Sequence, residues 1–407
     1  MNKKKIINDP VYGFINIPSA LIFDLIAHPW FQRLRYIKQL GMTHLVYPGA
    51  LHTRFHHALG AMHLMSLAIE VLRGKGHQIS KEEEEAATIA ILLHDIGHGP
   101  FSHALEHTLV NGIQHEDISM LIMEKLNLEF DGRLTRAIDI FKGNCPKKFL
   151  HQLISSQLDL DRMDYLNRDS FFTGVSEGVI SFDRIIKMFN IADGELVIEE
   201  KGIYSIENFL IARRLMYWQV YLHKTVIAGE QLLVKILERA KELASGGETL
   251  FATPALQHFL QGKISEQDFF KEEWHLQQFL KLDDQDIFAS VKVWENHRDK
   301  ILSRLCGMLT TRNLYKTEIS NDAPEQARVQ LLKENAAAVL GISEAEACYF
   351  VFTDEIWNRA YNAGNSNINI LLKNNVRIDI AKASDLSNLE SLDKTVKKHI
   401  LCYPRII

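Results

Sequence analysis

Twelve of the eighteen histidines in this chain fall between His28 and His115. Imidazole is the commonest metal ligand and the side chain that titrates near neutrality. Within the cluster, His94-Asp95 ends the apolar run Ile89-Ala-Ile-Leu-Leu93, and Gly97, Gly99 and Pro100 follow at once. The apolar run predicts a buried helix, which puts two ionisable residues in an interior. Left unpaired there they would cost several kcal/mol, and a cation satisfies both. Adjacent helical residues point about 100° apart, so both reach one ion only from a helix terminus. The two glycines supply that terminus. His57 and Asp161 are the candidates for the remaining ligands, leaving room for water and substrate. Two histidines and two carboxylates suit one divalent ion, and ligand type does not distinguish Mn, Fe, Mg, Ni or Zn. Such an ion activates water and polarises a phosphoryl oxygen, which is the chemistry of phosphoester hydrolysis.

The elements that must carry these residues are mostly helical. Residues 1–16 read as an extended arm with a turn at Asp9-Pro10 and Gly13. Leu21, Ile22, Leu25 and Ile26 repeat at helical spacing behind the N-cap candidate Ser19, and Pro29 separates them from a second helix with Phe31, Leu34 and Ile37. A helix from about Thr53 to Arg73 carries His57 and stops at Gly74 and Gly76. Ser80-Lys-Glu-Glu83 opens the helix that leads to His94, with its acidic residues where the helix dipole favours them. Further helices are expected at about 101–110, 115–127, 133–141 and 147–166. A short hairpin is expected over 194–206, followed by one long helix over 206–245. Helices continue to about 305, and Cys348-Tyr-Phe-Val-Phe352, Asn369-Ile-Leu-Leu372 and Val376-Arg-Ile-Asp-Ile380 read as strands. The division that follows is a catalytic domain with its N-terminal arm over 1–245, a helical extension over 246–316 and a C-terminal α+β lobe over 317–407.

Composition sets limits on the function. The chain has 407 residues, 46% hydrophobic and 24% charged, with a net charge of −5. That is enough apolar material for a large core, and it argues against a nucleic-acid coat, which needs a basic surface. Cys145, Cys306, Cys348 and Cys402 are scattered without a CxxC pair, so neither a disulfide framework nor a thiolate zinc site is expected, and a reducing cytoplasm fits. No run approaches the ~20 apolar residues of a membrane helix.

The pattern His57…His94-Asp95…Asp161 resembles the HD-domain phosphohydrolase superfamily. More narrowly, the chain is similar to the deoxynucleoside triphosphate triphosphohydrolases of the SAM-and-HD-domain type. The matching stretches include Ile7-Asn-Asp-Pro10, Phe31-Gln-Arg-Leu-Arg-Tyr-Ile-Lys-Gln-Leu-Gly41, Pro48-Gly-Ala50, Arg54-Phe-His-His57, His94-Asp-Ile-Gly-His-Gly-Pro-Phe-Ser-His103, and Asp159-Leu-Asp-Arg-Met-Asp-Tyr165 with Arg168-Asp169. Weaker matches run through Tyr221-Leu-His-Lys224, Leu282-Asp-Asp-Gln-Asp-Ile287 and Arg312-Asn-Leu-Tyr-Lys316. The similarity is dense to about residue 225 and thin beyond 317.

The resemblance implies a mainly α fold built on the HD helical bundle, and roles for individual residues. His57, His94, Asp95 and Asp161 would bind the metal. Arg54, His98 and His103 would contact the α-phosphate. His115 would protonate the departing 5′-oxygen with Glu106 orienting it, although the family usually has Asp at the latter position. A water would attack the α-phosphorus, releasing a deoxynucleoside and intact triphosphate. Arg162, at a family lysine position, and Arg213 would hold the distal phosphates; the guanidinium keeps the charge but changes the donor geometry. Tyr221 would stack on the sugar, Gln39, Tyr165 and Asp169 would read it, and Leu40 would line the substrate site. Lys5, Asn8, Gln32, Arg35, Arg184 and Lys201 stand at the family's regulatory nucleotide contacts. Ala27 replaces an Asp that reads guanine, and Glu199 stands where activated members have a basic residue, so guanine-specific activation is expected to be lost or altered. The family also implies a homo-oligomer, dimer or tetramer, with a small-molecule nucleotide substrate and a candidate nucleotide activator; the charge and hydropathy of the chain speak against a nucleic-acid or membrane partner.

Two other functions compete. One is an HD phosphohydrolase acting on another phosphoester, such as a nucleoside monophosphate; Arg162 and Arg213 argue against it, having no distal phosphates to hold there. The other is a non-catalytic nucleotide-binding regulator, which would have no use for His98, His115 and Glu106.

Overall fold

The computed structural model describes residues 5–101, 108, 112–262, 264–358, 361, 367–385 and 395–406. Its core is helical, and three of its helices matter most. Arg54–Gly74 begins with a reciprocal capping box between Thr53 and His56, and packs against both Lys81–Leu93 and Leu160–Thr173. Lys81–Leu93 is capped by Ser80 with Glu83 reaching back, as the sequence predicts. Everything from Ala86 to Leu93 is buried, which puts His94 and Asp95 inside the fold.

By length and composition alone, Arg54–Gly74 would suffice to cross a membrane, contrary to expectation. Two thirds of that apolar window (67%) is buried within the fold, so it is a core helix.

Several predicted elements change at their ends. The N-terminal arm is a hairpin, Ile6–Asp9 against Gly13–Asn16. Asp9 forms its turn by accepting from the amides of Val11 and Tyr12, both at 3.0 Å. The second expected helix shortens to Pro29–Gln32 and continues as a tighter turn over Arg33–Tyr36. The single helix expected over 147–166 is two, Lys148–Gln152 and Leu160–Thr173. Asp159 divides them, because its carboxylate caps the amide of Arg162 at 2.8 Å and starts a new helix. The hairpin expected over 194–206 lies earlier, at Phe189–Ala192 and Glu195–Glu199, with its turn at Asp193-Gly194; Lys201-Gly202 instead leads into helix Ile203–Met216.

The long helix expected over 206–245 breaks after Met216. A wide turn of π geometry spans Tyr217–Tyr221, and His223 caps the next helix, Lys224–Ser245, through the amide of Thr225 at 3.1 Å. Cys348 is not in a strand. Ser343 and Glu346 cap each other reciprocally and wind Glu346–Tyr349 into a helical turn, so the strand starts at Phe352.

Most of the sheet structure comes from the C-terminal third. Strand Asn369–Leu371 pairs in parallel with Glu195–Glu199, and Arg377–Asp379 pairs with it on the far side. A second sheet places Val396–Tyr403 between Lys316–Ser320 and Phe352–Asn358, all antiparallel.

Candidate active site

The three core helices each bring one part of a cluster. His57 projects from the first turn of Arg54–Gly74, His94 and Asp95 follow the last residue of Lys81–Leu93, and Asp161 lies in the first turn of Leu160–Thr173. Asp161 Oδ1 is 3.1 Å from His57 Nε2 and 3.4 Å from His94 Nε2. Asp95 is 3.3 Å from His94 Nε2 and 3.7 Å from His57 Nε2.

These atoms fit a cation. Two bonds of roughly 2.1 Å at right angles set their donors about 3.0 Å apart, close to the spacings found here. Nε2 of His57 and Nε2 of His94 are buried and have no hydrogen-bond partner. Burial opposes charge on both imidazoles, yet the carboxylates outweigh it. Asp161 and Asp164 push His57 up to about 10, and Asp95 and Asp161 push His94 up to about 9. Burial likewise opposes ionisation of Asp161, and His57 and His94 more than reverse it, holding the carboxyl far below its usual range. A negative potential that draws protons onto two histidines is one that holds a divalent ion.

The surrounding groups lock the ligands in place. His57 Nδ1 is 2.7 Å from Asp164 Oδ2, and Asp164 in turn takes two hydrogen bonds from Arg168 at 3.0 Å. Arg168 extends the chain to Asp9 of the N-terminal hairpin at 2.7 Å. His94 Nδ1 is 2.6 Å from the carbonyl of Ile91. The hydroxyl of Ser119 donates to the His94 carbonyl at 2.7 Å and accepts from the Gly97 amide at 2.9 Å. A Cβ on Gly97 would lie 2.2 Å from the His115 carbonyl, so only glycine admits this contact.

Known proteins share this arrangement. The family model of the HD domain matches residues 54–169, spanning all four candidate ligands, and that of the HD associated region matches residues 180–251. The chain is 36% identical to the Bacillus subtilis protein YwfO, over 78% of its own length and 72% of that protein's. Among solved structures, it is similar to a phosphohydrolase from Bacteroides thetaiotaomicron, with 54% identity, a TM-score of 0.96, and 99% and 100% of the two chains covered. The chain belongs to the HD-domain phosphohydrolase family. It also resembles the deoxynucleoside triphosphate triphosphohydrolase SAMHD1 homolog of Dictyostelium discoideum, at 34% identity over 54% of this chain and 46% of that one.

A pocket of about 380 Å³ opens beside the HD cluster, within the range of roughly 300–1,000 Å³ typical of small-molecule pockets. Arg54, Asp95, His98, His115 and Asp161 line one part of it, and Gln39, Leu40, Tyr165, Asp169 and Tyr221 line another. Arg54 donates to Asp95. His98 Nε2 lies 3.4 Å from Asp95, and its ring stacks on His115 at 3.8 Å. Burial, with Arg54 adding to it, pushes His98 well below its ordinary value and so keeps it neutral. Tyr221 donates to Asp169 at 2.8 Å, and burial followed by that carboxylate keeps its phenol protonated. His52 holds the other oxygen of Asp169 at 2.7 Å.

Arg162 and Arg213 do not line this pocket. Arg162 pairs with the buried cap Asp159, while Arg213 is buried with Nε and Nη1 unpartnered. Both act electrostatically on the phenol of Tyr165. His103 and Glu106 lie outside the described residues. Beside His115 stands Glu116, 3.3 Å from its Nδ1.

The residues at regulatory positions sit on the surface or pair among themselves. Lys5 lies 4.7 Å over the ring of Phe23, Asn8 is exposed, Gln32 accepts from Arg35 at 2.7 Å, and Arg184 donates to the carbonyl of Lys201 at 3.2 Å. Glu199 is paired with Lys75 at 2.7 Å.

Sequence reasoning missed Asp164, His52, Ser119, Tyr217 and Glu230. Only Asp164 left a signal: it stands three residues after Asp161, on the same helix face. The others reach the site through long-range packing.

Proposed function

We propose that this protein hydrolyses deoxynucleoside triphosphates at the α-phosphorus, releasing deoxynucleoside and intact triphosphate. The observation that carries this reading is one pocket lined by Asp95 and Asp161 of the candidate ligands, by Arg54, His98 and His115, and by Tyr165, Asp169 and Tyr221. The relatives named as deoxynucleoside triphosphate triphosphohydrolases support the choice of substrate. A divalent ion held by His57, His94, Asp95 and Asp161 supplies Lewis-acid activation of water and of the phosphoryl oxygen. Arg54 and neutral His98 bind the charge that builds on the phosphorane-like oxygens. His115 delivers a proton to the departing 5′-oxygen, assistance worth about 10²–10⁴-fold. The tied pair Tyr221–Asp169 presents a rigid wall to the sugar.

A second reading, hydrolysis of another phosphoester such as a nucleoside monophosphate, is favoured by one observation: Arg162 is held by Asp159, and neither it nor Arg213 lines the pocket.

The test incubates the purified protein with Mn²⁺ and each deoxynucleoside triphosphate in turn, with and without candidate nucleotide activators, and identifies the products. Inorganic triphosphate is expected. Orthophosphate or pyrophosphate, or no turnover with any activator, sinks the proposal. Asp161→Ala is expected to lose metal and turnover together; retained metal stoichiometry refutes its ligand role.

A further inference from the structure

Glu230 stands on the pocket wall, one turn and a half into the helix Lys224–Ser245. It is half-buried, and among the described residues it has no hydrogen-bond or ion-pair partner. Burial alone acts on its carboxyl and pushes it up to about 7, with no cation nearby to offset the effect. The same pocket is also lined by Leu40, Gly41, Thr43, Phe101 and Leu222, none of them a histidine or a metal-ligand candidate. Gly41 brings the backbone close: a Cβ there would lie 3.5 Å from Glu230 Oε1. The metal cluster, its histidines and Arg54 account for the phosphate, and Tyr165, Asp169 and Tyr221 for the sugar. The wall with Glu230 is left for the base.

An unpartnered carboxyl in a pocket is costly unless a ligand satisfies it. The apolar side chains of Leu40 and Leu222 suit the faces of a planar ring, while a carboxylate suits an edge with adjacent N–H donors. Guanine has such an edge, with N1–H beside the N2 amino group. Adenine and cytosine present one amino donor beside a ring acceptor. Thymine flanks its single N–H with two carbonyls, which a carboxylate repels.

We propose that Glu230 is a specificity-determining residue that reads the Watson–Crick edge of the substrate base and favours guanine over thymine. This rests on the proposed nucleotide substrate. The side chain touches the base and takes no part in bond breaking.

The experiment compares kcat/KM for dGTP and dTTP in the wild-type protein and in Glu230→Gln, above the pH at which Glu230 ionises. Gln is nearly isosteric but replaces one acceptor with a donor, so it faces one guanine N–H with another. The dGTP-to-dTTP ratio is expected to fall about 10–100-fold, the range of a good bidentate base contact, with most of the fall in dGTP. Glu230→Ala is expected to lower the ratio in the same direction. An unchanged ratio, or equal loss for both nucleotides, overturns the proposal. Equilibrium binding of dGTP and dTTP analogues with methylene in place of the 5′-oxygen reads the same preference without turnover. A wild-type protein that binds both analogues equally overturns the role of Glu230, whereas one that prefers the guanine analogue yet releases no triphosphate from any nucleotide overturns the proposed reaction instead.

Discussion

Asp164 lies 2.7 Å from Nδ1 of His57 while both oxygens of the same carboxylate are held by Arg168. All three side chains are buried. When His57 is neutral and offers Nε2 to a metal, its remaining proton is on Nδ1 and is donated to Asp164, which sets the tautomer and the orientation of the ring.

Asp164→Asn removes the charge from this contact while keeping its shape. Metal affinity is expected to weaken about 10–100-fold, the usual effect of losing such a supporting group. Competition against a chelating dye measures it, and an unaltered dissociation constant argues that the ring is held by packing alone.

Gly60 faces the same pair across the helix interface. A Cβ there would lie 1.9 Å from Asp164 Oδ1 and 2.2 Å from Arg168 Nη2. Both groups are pinned, so Gly60→Ala is expected to cost about 1–3 kcal/mol in stability, as overpacking does, and to weaken metal binding with it. Chemical denaturation with and without metal checks both effects; a fully stable variant with normal metal content contradicts the structure.

Metal loading is expected to depend on pH in a known direction. Without metal, His57 is raised to about 10 and His94 to about 9, so both are protonated at neutrality. A ligand imidazole must be neutral, so protons compete with the metal and binding releases them. Apparent affinity therefore rises with pH through the neutral range and levels off above about 10. Isothermal titration in buffers of different ionisation enthalpy counts the protons released. Zero release at pH 7 would falsify the assignment.

Guanine-specific activation is expected to be absent or altered. Ala27 ends its helix without a carboxylate to read a base, and Glu199 is engaged by Lys75. Turnover with GTP is expected to match turnover without it; strong GTP dependence overturns this reading of Ala27.

Much of the chemistry was legible from local signals. The apolar run before His94-Asp95 and the capping pairs Ser80–Glu83 and Thr53–His56 are short-range features, and short-range physics decides where helices start and stop. His57 and His94-Asp95 follow from that because each lies at or near an expected helix end, whereas Asp161 was expected inside a helix over 147–166 and stands at a helix start because Asp159 caps a new helix. The sequence alone therefore determined the bundle and the residues at its centre. Tertiary structure decided how these residues are supported. Asp161 and Asp164 share one helix face and one residue type, and only packing turns the first toward both histidines and the second behind His57. Ser119 reaches the carbonyl of His94 across 25 residues, and Asp9 closes the chain through Arg168 across 159. The break at Tyr217–Tyr221 was hidden because neither proline nor glycine marks it. Its wide turn and the His223 cap nevertheless bring Tyr217, Tyr221, Leu222 and Glu230 to the pocket. Contacts of that range depend on where whole helices lie, and no window of local sequence contains them.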